Sequence, residues 1–246
     1  MAQDHRLDFR AILLDIEGTI TPISFVYETL FPYARLHGPK FLRESWDKES
    51  TQNARAQLRL LNETDRAGGA PRIDVASRDV ELQTTIEYYL WLMDRDRKVT
   101  PLKSIQGLVW AEGYRTGDLK SEIFEDVPRA FSRWREQGLA IAIFSSGSVL
   151  AQRQLLQNSD RGDLTRFIAG CFDTETGGKR QKESYTSIAK TLDTAASHVL
   201  FISDVVPELD AAVAAGMGTA LARRPGNAEP TEPHVHRPVR SFDDLS

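Results

Sequence analysis

The sequence predicts an α/β fold: a parallel sheet with helices on both faces, plus a mostly helical cap domain inserted after the first strand. Three observations lead to this prediction. Short apolar runs alternate with segments of helical periodicity, the clearest runs end in small or acidic residues, and one long stretch interrupts the alternation. Alternation of strand and helix is the pattern of a Rossmann-like parallel sheet.

Three apolar runs are predicted to be strands buried on both faces. They cover residues 9–14, 139–144 and 199–202. Each run is too short and too continuously apolar for an amphipathic helix, whereas a strand of a covered parallel sheet has this composition. Residues 167–172 and 218–222 are weaker strand candidates.

Helical periodicity occurs between the predicted strands. Apolar residues spaced at i, i+3, i+4 and i+7 predict one face of a helix. Two segments show this spacing: Val127, Ala130, Phe131 and Trp134 in the first, and Tyr185, Ile188, Ala189 and Leu192 in the second. Pro207 suits the first turn of a third helix, which Gly216 would end.

The stretch from residue 22 to residue 125 has a different pattern. It contains helical spacing and few convincing strands, so we predict a helical cap domain over 22–125. The remaining residues, 1–21 and 126–246, would then form the core domain that contains the sheet.

The segment Arg223–Pro238 is predicted to be irregular. It carries four prolines and little periodicity. Its two histidines, His234 and His236, are therefore expected to be solvated rather than to bind zinc.

The overall composition is that of a soluble globular protein, with 41% hydrophobic and 27% charged residues. A net charge of −4 predicts no general attraction to nucleic acid or to an anionic membrane. No apolar run approaches membrane-spanning length, and the start of the chain lacks the apolar stretch of a secretory signal. The single cysteine, Cys171, excludes an internal disulfide framework and fits a reducing compartment, so we expect a cytoplasmic protein.

Polar residues follow three predicted strands at their carboxyl ends: Asp15, Ser145 and Asp204. Ligands of an open parallel sheet bind outside these ends, so the three side chains are expected to converge on one crevice. In the segment DIEGT, Glu17 lies two residues after Asp15, in a loop opened by Gly18. Two acids in such a loop suit a hard cation.

Each candidate residue also has a simpler interpretation. Asp15 and Asp204 could be turn residues, and Ser145 and Ser146 could cap the following helix. A helix start also binds anions, so capping and phosphate binding are compatible. Lys179, in the polar stretch GGKR, would by composition alone be a solvated surface lysine. Together, acid, hydroxyl, lysine and acid in this order are more specific than any one of them.

This order resembles the haloacid dehalogenase superfamily of phosphatases, whose four motifs match the segment DIEGT, Ser145, Lys179 and Asp204. The sequence is more closely similar to one family within it, the enolase-phosphatases of the methionine salvage pathway. That resemblance is carried by LLDIEGTITPISFVYETLFPYAR, FSSGSVLAQ, CFDTETGGK, LFISDVVPELDAA and, near the end, RRPGN. It therefore covers almost the whole chain. Glu17 is the discriminating residue, because most phosphatases of the superfamily carry Asp there.

The resemblance implies a magnesium-dependent phosphatase with Asp15 as nucleophile, forming an aspartyl-phosphate that water then hydrolyses. It implies a magnesium site made by Asp15, Glu17 and Asp204, with the backbone carbonyl of residue 17 as the ligand at that position. The side chain of Glu17 would act as acid on the leaving oxygen and as base on water.

The resemblance also implies which residues bind the phosphate oxygens. Ser145, Ser146 and Lys179 would hold them, and Lys179 would supply positive charge to the transition state. Thr19 and Glu208 are second-rank candidates. Glu208 stands where the superfamily often has another acid that orients the metal shell.

The family further implies the substrate 2,3-diketo-5-methylthiopentyl 1-phosphate. The enzyme would enolise it and then remove the phosphate, giving the acireductone 1,2-dihydroxy-3-keto-5-methylthiopentene. The base for enolisation is left open, with Glu17 as the first candidate. A monomer with a small phosphorylated substrate, and without nucleic acid or membrane partners, is expected.

Three alternatives remain open. A phosphatase of the same superfamily could act on another small phosphate ester. A phospho-acceptor signalling module also uses strand-end acids, a hydroxyl and a lysine, but has no long insert after its first strand. A catalytically inactive binding protein with a cap is disfavoured by the complete set of candidate residues.

Overall fold

The computed structural model describes residues 9–231 and 233–245, which divide into two compact units. The first, here called the sheet unit, contains residues 9–26 and the described residues from Lys120 onward. The second, the helical unit, is Tyr27–Leu119.

Six strands and eight α-helices are assigned among the described residues. The strands are β1 (Ala11–Leu14), β2 (Ala140–Phe144), β3 (Ile168–Phe172), β4 (Val199–Ser203), β5 (Gly218–Ala222) and β6 (Arg237–Val239). The helices are α1 (Phe31–Ser45), α2 (Glu49–Asp65), α3 (Arg78–Asp94), α4 (Thr100–Thr116), α5 (Asp126–Glu136), α6 (Val149–Gln157), α7 (Lys182–Thr191) and α8 (Val206–Ala214).

The strands form one parallel sheet in the order β3-β2-β1-β4-β5-β6. β1 is central, and Leu14 at its end lies opposite Ile143 of β2 and Ile202 of β4. The carboxyl ends of these three strands are therefore nearly level. Residues that follow them emerge at one edge of the sheet, as the sequence predicts.

The strands are apolar because helices cover the sheet on both sides. All four residues of β1 and all five of β4 are buried. On one face, Leu13 and Phe201 belong to a core that includes Tyr185 of α7 and Leu209 of α8. The predicted α/β fold class is confirmed by this architecture.

The helical unit is formed by α1 to α4. α1 packs against α3 and α4, and α2 packs against α4. The core between them includes Leu58, Tyr89, Leu92 and Ile105, all fully buried. Among the described residues, no helix is both long enough and apolar enough to cross a membrane.

The helical unit starts at residue 27 rather than 22 and ends at residue 119 rather than 125. The flanking segments have partners in the sheet unit, which explains the difference from the predicted insert. Thr21 Oγ1 donates to Glu122 O at 2.5 Å, and Phe124 N donates to Ile20 O at 3.1 Å. The chain thus runs as a pair of hydrogen-bonded segments before and after the helical unit.

The tail departs from its predicted irregular structure at β6, which pairs in parallel with β5. Pro238 lies within this strand although proline cannot donate a ladder hydrogen bond. It is tolerated because β6 is the edge strand of the sheet.

The expectation that His236 is solvated is wrong. The residue is 5% exposed, and its Nδ1 lies 2.9 Å from Thr219 Oγ1. Its Nε2 lies 3.0 Å from Asp210 Oδ1. His236 therefore anchors the chain just before β6 to the sheet and to α8.

A close approach of two helices in the helical unit depends on Gly38 of α1. A Cβ atom at Gly38 would lie 2.5 Å from Cε1 of Tyr89. That ring is fully buried, and its hydroxyl donates to Ala34 O at 2.8 Å, so it is held in place. The glycine allows α1 and α3 to pack without a clash.

We therefore expect Gly38→Ala to destabilise the protein. Overpacking of a filled core costs about 1–3 kcal/mol, more than the roughly 1 kcal/mol that alanine gains over glycine in a helix. Chemical denaturation should show a lower free energy of unfolding. The control is Gly68→Ala, since no atom lies within 4 Å of a Cβ added there. Equal stability of the two variants would contradict this account of α1 and α3.

Candidate active site

Asp15 is the first residue after β1 and lies buried, 2% exposed, at the carboxyl edge of the sheet. Its backbone N–H donates to Ile202 O at 3.0 Å, which extends the pairing with β4 by one residue. Its Oδ1 accepts from Ile16 N at 2.7 Å, and Ser203 Oγ lies 3.1 Å from its Oδ2. Both carboxylate oxygens are thus oriented by neighbouring groups.

The chain after Asp15 turns back on itself, through residues 16–21. The carbonyl of Ile16 accepts from the N–H groups of residues 19, 20 and 21, and Gly18 N donates to Thr21 O at 2.9 Å. Gly18 has φ +65°, and a Cβ there would lie 2.5 Å from Asp204 Oδ2. The position therefore needs glycine both for its backbone angle and for the close approach of Asp204.

Ser145 follows β2 and is buried at the same edge. Its Oγ accepts from Gly147 N at 3.2 Å, while the cap of α6 is Ser148, whose Oγ accepts from Ala151 N at 3.3 Å. The capping interpretation of Ser145 is therefore wrong. Ser146, half-buried, lies between the end of β2 and the start of α6.

Lys179 is not a surface lysine: its side chain is 9% exposed. Its Nζ lies 2.6 Å from both Asp15 Oδ1 and Glu208 Oε2. Two hydrogen bonds from α7 fix the segment that carries it, from Tyr185 Oη to Lys179 O and from Ser184 Oγ to Gly178 O. The structure thus places the lysine directly beside the strand-end aspartate.

Glu208, in the first turn of α8, completes this cluster of buried charges. Ser203 Oγ lies 3.1 Å from Glu208 Oε2, the same distance as from Asp15. Ser203 also accepts from Val205 N at 3.2 Å, which shapes the turn that presents Asp204. Glu208 therefore contacts the lysine and serine that also contact Asp15.

The electrostatics of the site reflect an excess of buried carboxylates. Burial, together with the charges of Asp15 and Glu17, raises the pKa of Asp204 to about 7, while Lys179 opposes this shift. Burial and Asp15 likewise raise the pKa of Glu208 to about 7. Burial alone would lower the pKa of Lys179, but Asp15 and Glu208 raise it. One lysine faces four acids, so additional positive charge would be stabilised here.

A magnesium ion fits this donor set. Among the described residues, no three acidic, histidine or cysteine side chains are grouped closely enough to hold a metal by themselves. Magnesium needs fewer protein ligands, because it binds through one or two carboxylates and keeps several water molecules. The carboxylates of Asp15 and Asp204 and the backbone oxygen of Glu17 could supply such a site. The raised pKa of Asp204 reflects first its burial and then the nearby charge of Asp15, and a divalent cation would offset both.

Several contacts of the site were not predicted from the sequence. Ser203 bridges Asp15 and Glu208, and its only signal is its place beside Asp204. Arg224 and Asn227 donate to backbone carbonyls of the loop after β1, and both belong to the RRPGN segment. Thr19, a second-rank candidate, is fully buried, and its hydroxyl has no hydrogen-bond partner among the described residues. Its backbone, not its hydroxyl, makes the contact with Arg224.

Comparison with known proteins places this site in a family. Residues 9–216 match the haloacid dehalogenase-like hydrolases. Enolase-phosphatase E1 of Drosophila virilis is 45% identical over 230 residues, 92% of this chain and 90% of the relative. Enolase-phosphatase E1 of Anopheles gambiae is 41% identical over 98% of this chain and 83% of the relative.

Solved structures share the fold of this chain. The crystal structure of the UTR4 protein of Saccharomyces cerevisiae aligns with a TM-score of 0.75 and 33% identity, covering 96% of this chain and 100% of that one. CbbY of Rhodobacter sphaeroides, solved with phosphate, aligns with a TM-score of 0.56 at 15% identity over 96% of both chains, which shows the shared fold alone. From the fold, the site and the length of these matches, the chain belongs to the enolase-phosphatase family of the haloacid dehalogenase-like hydrolases.

Proposed function

We propose that this phosphatase is a magnesium-dependent enolase-phosphatase of methionine salvage, acting on 2,3-diketo-5-methylthiopentyl 1-phosphate. The product would be the acireductone 1,2-dihydroxy-3-keto-5-methylthiopentene, formed by enolisation and then loss of phosphate. The identity to enolase-phosphatases supports this substrate. We further propose that the enzyme acts as a cytoplasmic monomer on this small phosphorylated molecule.

The observation that carries the phosphatase mechanism is the ion pair of Asp15 with Lys179. The two side chains are buried with their charged atoms 2.6 Å apart. A carboxylate held in this way is fixed in direction, as a nucleophile must be. The same lysine lies where it can balance the charge of an incoming phosphate group.

The proposed phosphoryl transfer proceeds in two steps. In the first, an oxygen of Asp15 bonds to phosphorus while the ester bond breaks, and Glu17 gives a proton to the leaving oxygen. In the second, water loses a proton to Glu17 and bonds to the phosphorus of the aspartyl-phosphate. Phosphate leaves, and the carboxylate of Asp15 is restored.

Phosphate oxygens would be held by Ser145, Ser146 and Lys179. The buried hydroxyl of Ser145 lies at the end of the strand next to β1, and α6 begins three residues after Ser146. The N–H groups at a helix start favour negative charge. Lys179 adds a positive charge next to Asp15. Positive charge around the equatorial oxygens stabilises a loose phosphoryl transition state.

Asp15, Asp204 and the backbone oxygen of Glu17 would hold the magnesium ion. When bound, the ion would offset the repulsion between phosphate and carboxylates and polarise the substrate carbonyl. In the enolase step, a base removes a proton from the carbon beside a carbonyl group, the electron pair of that C–H bond forms the C=C bond, and the carbonyl oxygen takes up a proton to become the enol hydroxyl. Glu17 is our candidate for this base, because it lies two residues from Asp15 and its charge is felt at Asp204.

The direct test of this function is a phosphate-release assay on a panel of small phosphate esters that includes the diketone phosphate. We expect magnesium-dependent turnover of the diketone, with an enol intermediate seen optically before phosphate appears. Asp15→Asn should fold as judged by circular dichroism but release phosphate only at background rate, since an amide cannot form the acyl phosphate. Turnover of other esters but not of the diketone would contradict the proposed substrate. Turnover by Asp15→Asn would contradict the nucleophile.

Magnesium binding should depend on Asp204. We expect Asp204→Asn to raise the magnesium dissociation constant at least about tenfold. Loss of a residue that only orients a metal ligand already weakens metal binding by about this factor. Titration calorimetry without substrate measures this constant directly. The matched control is Asp173→Asn: Asp173 also follows a strand, but its carboxylate accepts from Val149 N and Glu175 N. An equal shift in both variants, or in neither, would remove Asp204 from the metal site.

The acid and base role of Glu17 predicts a separate effect for Glu17→Asp. The backbone carbonyl is retained, so magnesium affinity should be almost unchanged. The shorter side chain displaces its carboxyl group, and a displacement of about 1 Å can cost on the order of a hundredfold in rate. Enol formation and phosphate release should both slow when followed in one experiment. Normal enolisation with slow phosphate release would assign the first proton to another base.

A further inference from the structure

Arg224 is a buried cation outside the cluster of proposed catalytic residues. Its side chain is 3% exposed, and its Nε donates to Thr19 O at 3.0 Å. The guanidinium also lies over two aromatic rings, 4.7 Å from the ring centre of Phe124 and 4.3 Å from that of Phe242. These contacts fix the direction of the donor that meets the loop after β1.

The charge of Arg224 is balanced by Asp126, the first residue of α5. Arg224 Nη1 donates to Asp126 Oδ2 at 2.8 Å and to Arg240 O at 3.1 Å. The same carboxylate oxygen accepts from Phe242 N at 2.5 Å and lies 3.1 Å from Ser241 Oγ. Asp126 thus ties the guanidinium to α5 and to the turn near the end of the chain.

Asn227 donates to the same loop at Gly18, one residue before the carbonyl that Arg224 contacts. Its Nδ2 donates to Gly18 O at 2.9 Å and to Ala222 O, at the end of β5, at 3.1 Å. Its Oδ1 would be 2.9 Å from a Cβ at Gly18, on the side where Asp204 approaches. The carboxamide therefore connects the narrowest point of the loop to the sheet.

Arg224 and Asn227 hold two of three successive peptide planes in this loop. The plane between residues 17 and 18 is fixed when Gly18 N donates to Thr21 O. The next plane is fixed by Asn227 at Gly18 O, and the one after it by Arg224 at Thr19 O. The first of these planes contains the carbonyl of Glu17, the proposed metal ligand. Rotation of the first plane would move that oxygen, and the other two planes are joined to it through the backbone of residues 18 and 19.

We propose that Arg224 and Asn227 are positioning residues, which hold the loop of residues 16–21 so that Glu17 and Asp15 keep their working geometry. This inference rests on the proposed function in that it adopts those two residues as the reacting groups. Arg224 and Asn227 meet this loop at the backbone carbonyls of Thr19 and Gly18. Their effect is transmitted through backbone carbonyls that otherwise would have to find other donors inside the protein.

The test compares Asn227→Ala and Arg224→Lys with the control Arg133→Lys. Arg133 donates to Phe242 O and Leu245 O. It therefore holds the turn near the end of the chain that Asp126 also contacts, and its hydrogen bonds do not go to the loop of residues 16–21. Three quantities are measured for each: amide hydrogen exchange of residues 16–21, the magnesium dissociation constant by calorimetry, and kcat and KM. Thermal denaturation records the stability of each variant. Kinetics are run on the diketone phosphate and on an aryl phosphate.

We expect faster exchange in residues 16–21 for the Asn227 and Arg224 variants, and not for the control. Magnesium affinity should fall about 10- to 100-fold, as for other residues that orient metal ligands. kcat should fall by about the same factor with less than about threefold change in KM, since a displacement near 1 Å has this cost. Arg133→Lys should keep the wild-type kcat and magnesium affinity.

Wild-type exchange, magnesium affinity and kcat in Asn227→Ala would overturn the proposal. So would losses in the control as large as those in the two test variants, because they would reflect stability alone. If Arg224→Lys does not fold, Asn227→Ala still decides, since Asn227 is only partly buried. Absence of diketone turnover in the wild-type enzyme would refute the proposed substrate, while exchange and calorimetry would still test the two positioning residues.

Discussion

The carboxylate of Asp15 is buried at the end of β1, and the surrounding site supplies it with a cationic partner and hydrogen-bond donors. Removing a carboxylate from water is costly unless it is paired and hydrogen-bonded. Lys179 supplies the opposite charge at 2.6 Å, and Ser203 and the N–H of Ile16 contact the carboxylate oxygens. Such a pair contributes little net stability, but it fixes the direction of the side chain.

Pairing does not neutralise the site. Lys179 is shared between Asp15 and Glu208, and Asp204 and Glu17 add two more carboxyl groups. Burial and the nearby charge of Asp15 raise the pKa of Asp204 and of Glu208 to about 7, so the protein can relieve the cost of these charges by protonation. It can also do so by binding a cation, since a divalent ion competes with protons for the same oxygens. The burial and crowding that make these acids hard to ionise would thus also favour a metal ion beside them.

The topology of the sheet explains why residues so distant in sequence meet at this point. Strand order reverses direction between β1 and β4, which is the position where ligands bind in open α/β sheets. Asp15 follows one of these strands and Asp204 follows the other. A loop that closes tightly at Gly18 then passes within contact of Asp204. The helical unit is inserted beyond this loop and leaves the order of the strands intact.

The sequence by itself determined the elements and the principal acids. Continuous apolar runs identify β1, β2 and β4 because burial on both faces is a local property of composition.

The tertiary structure decided which donors and charges meet. From its sequence context, Lys179 cannot be told from a surface lysine; α7 holds its segment so that the side chain lies beside Asp15. Pro238 suggests an irregular tail, but the structure pairs its segment with β5 as an edge strand. The contact of Arg224 with Thr19 spans 205 positions, and no local period encodes it. Periodicity reports whether a residue is buried, whereas its partner depends on how distant elements pack.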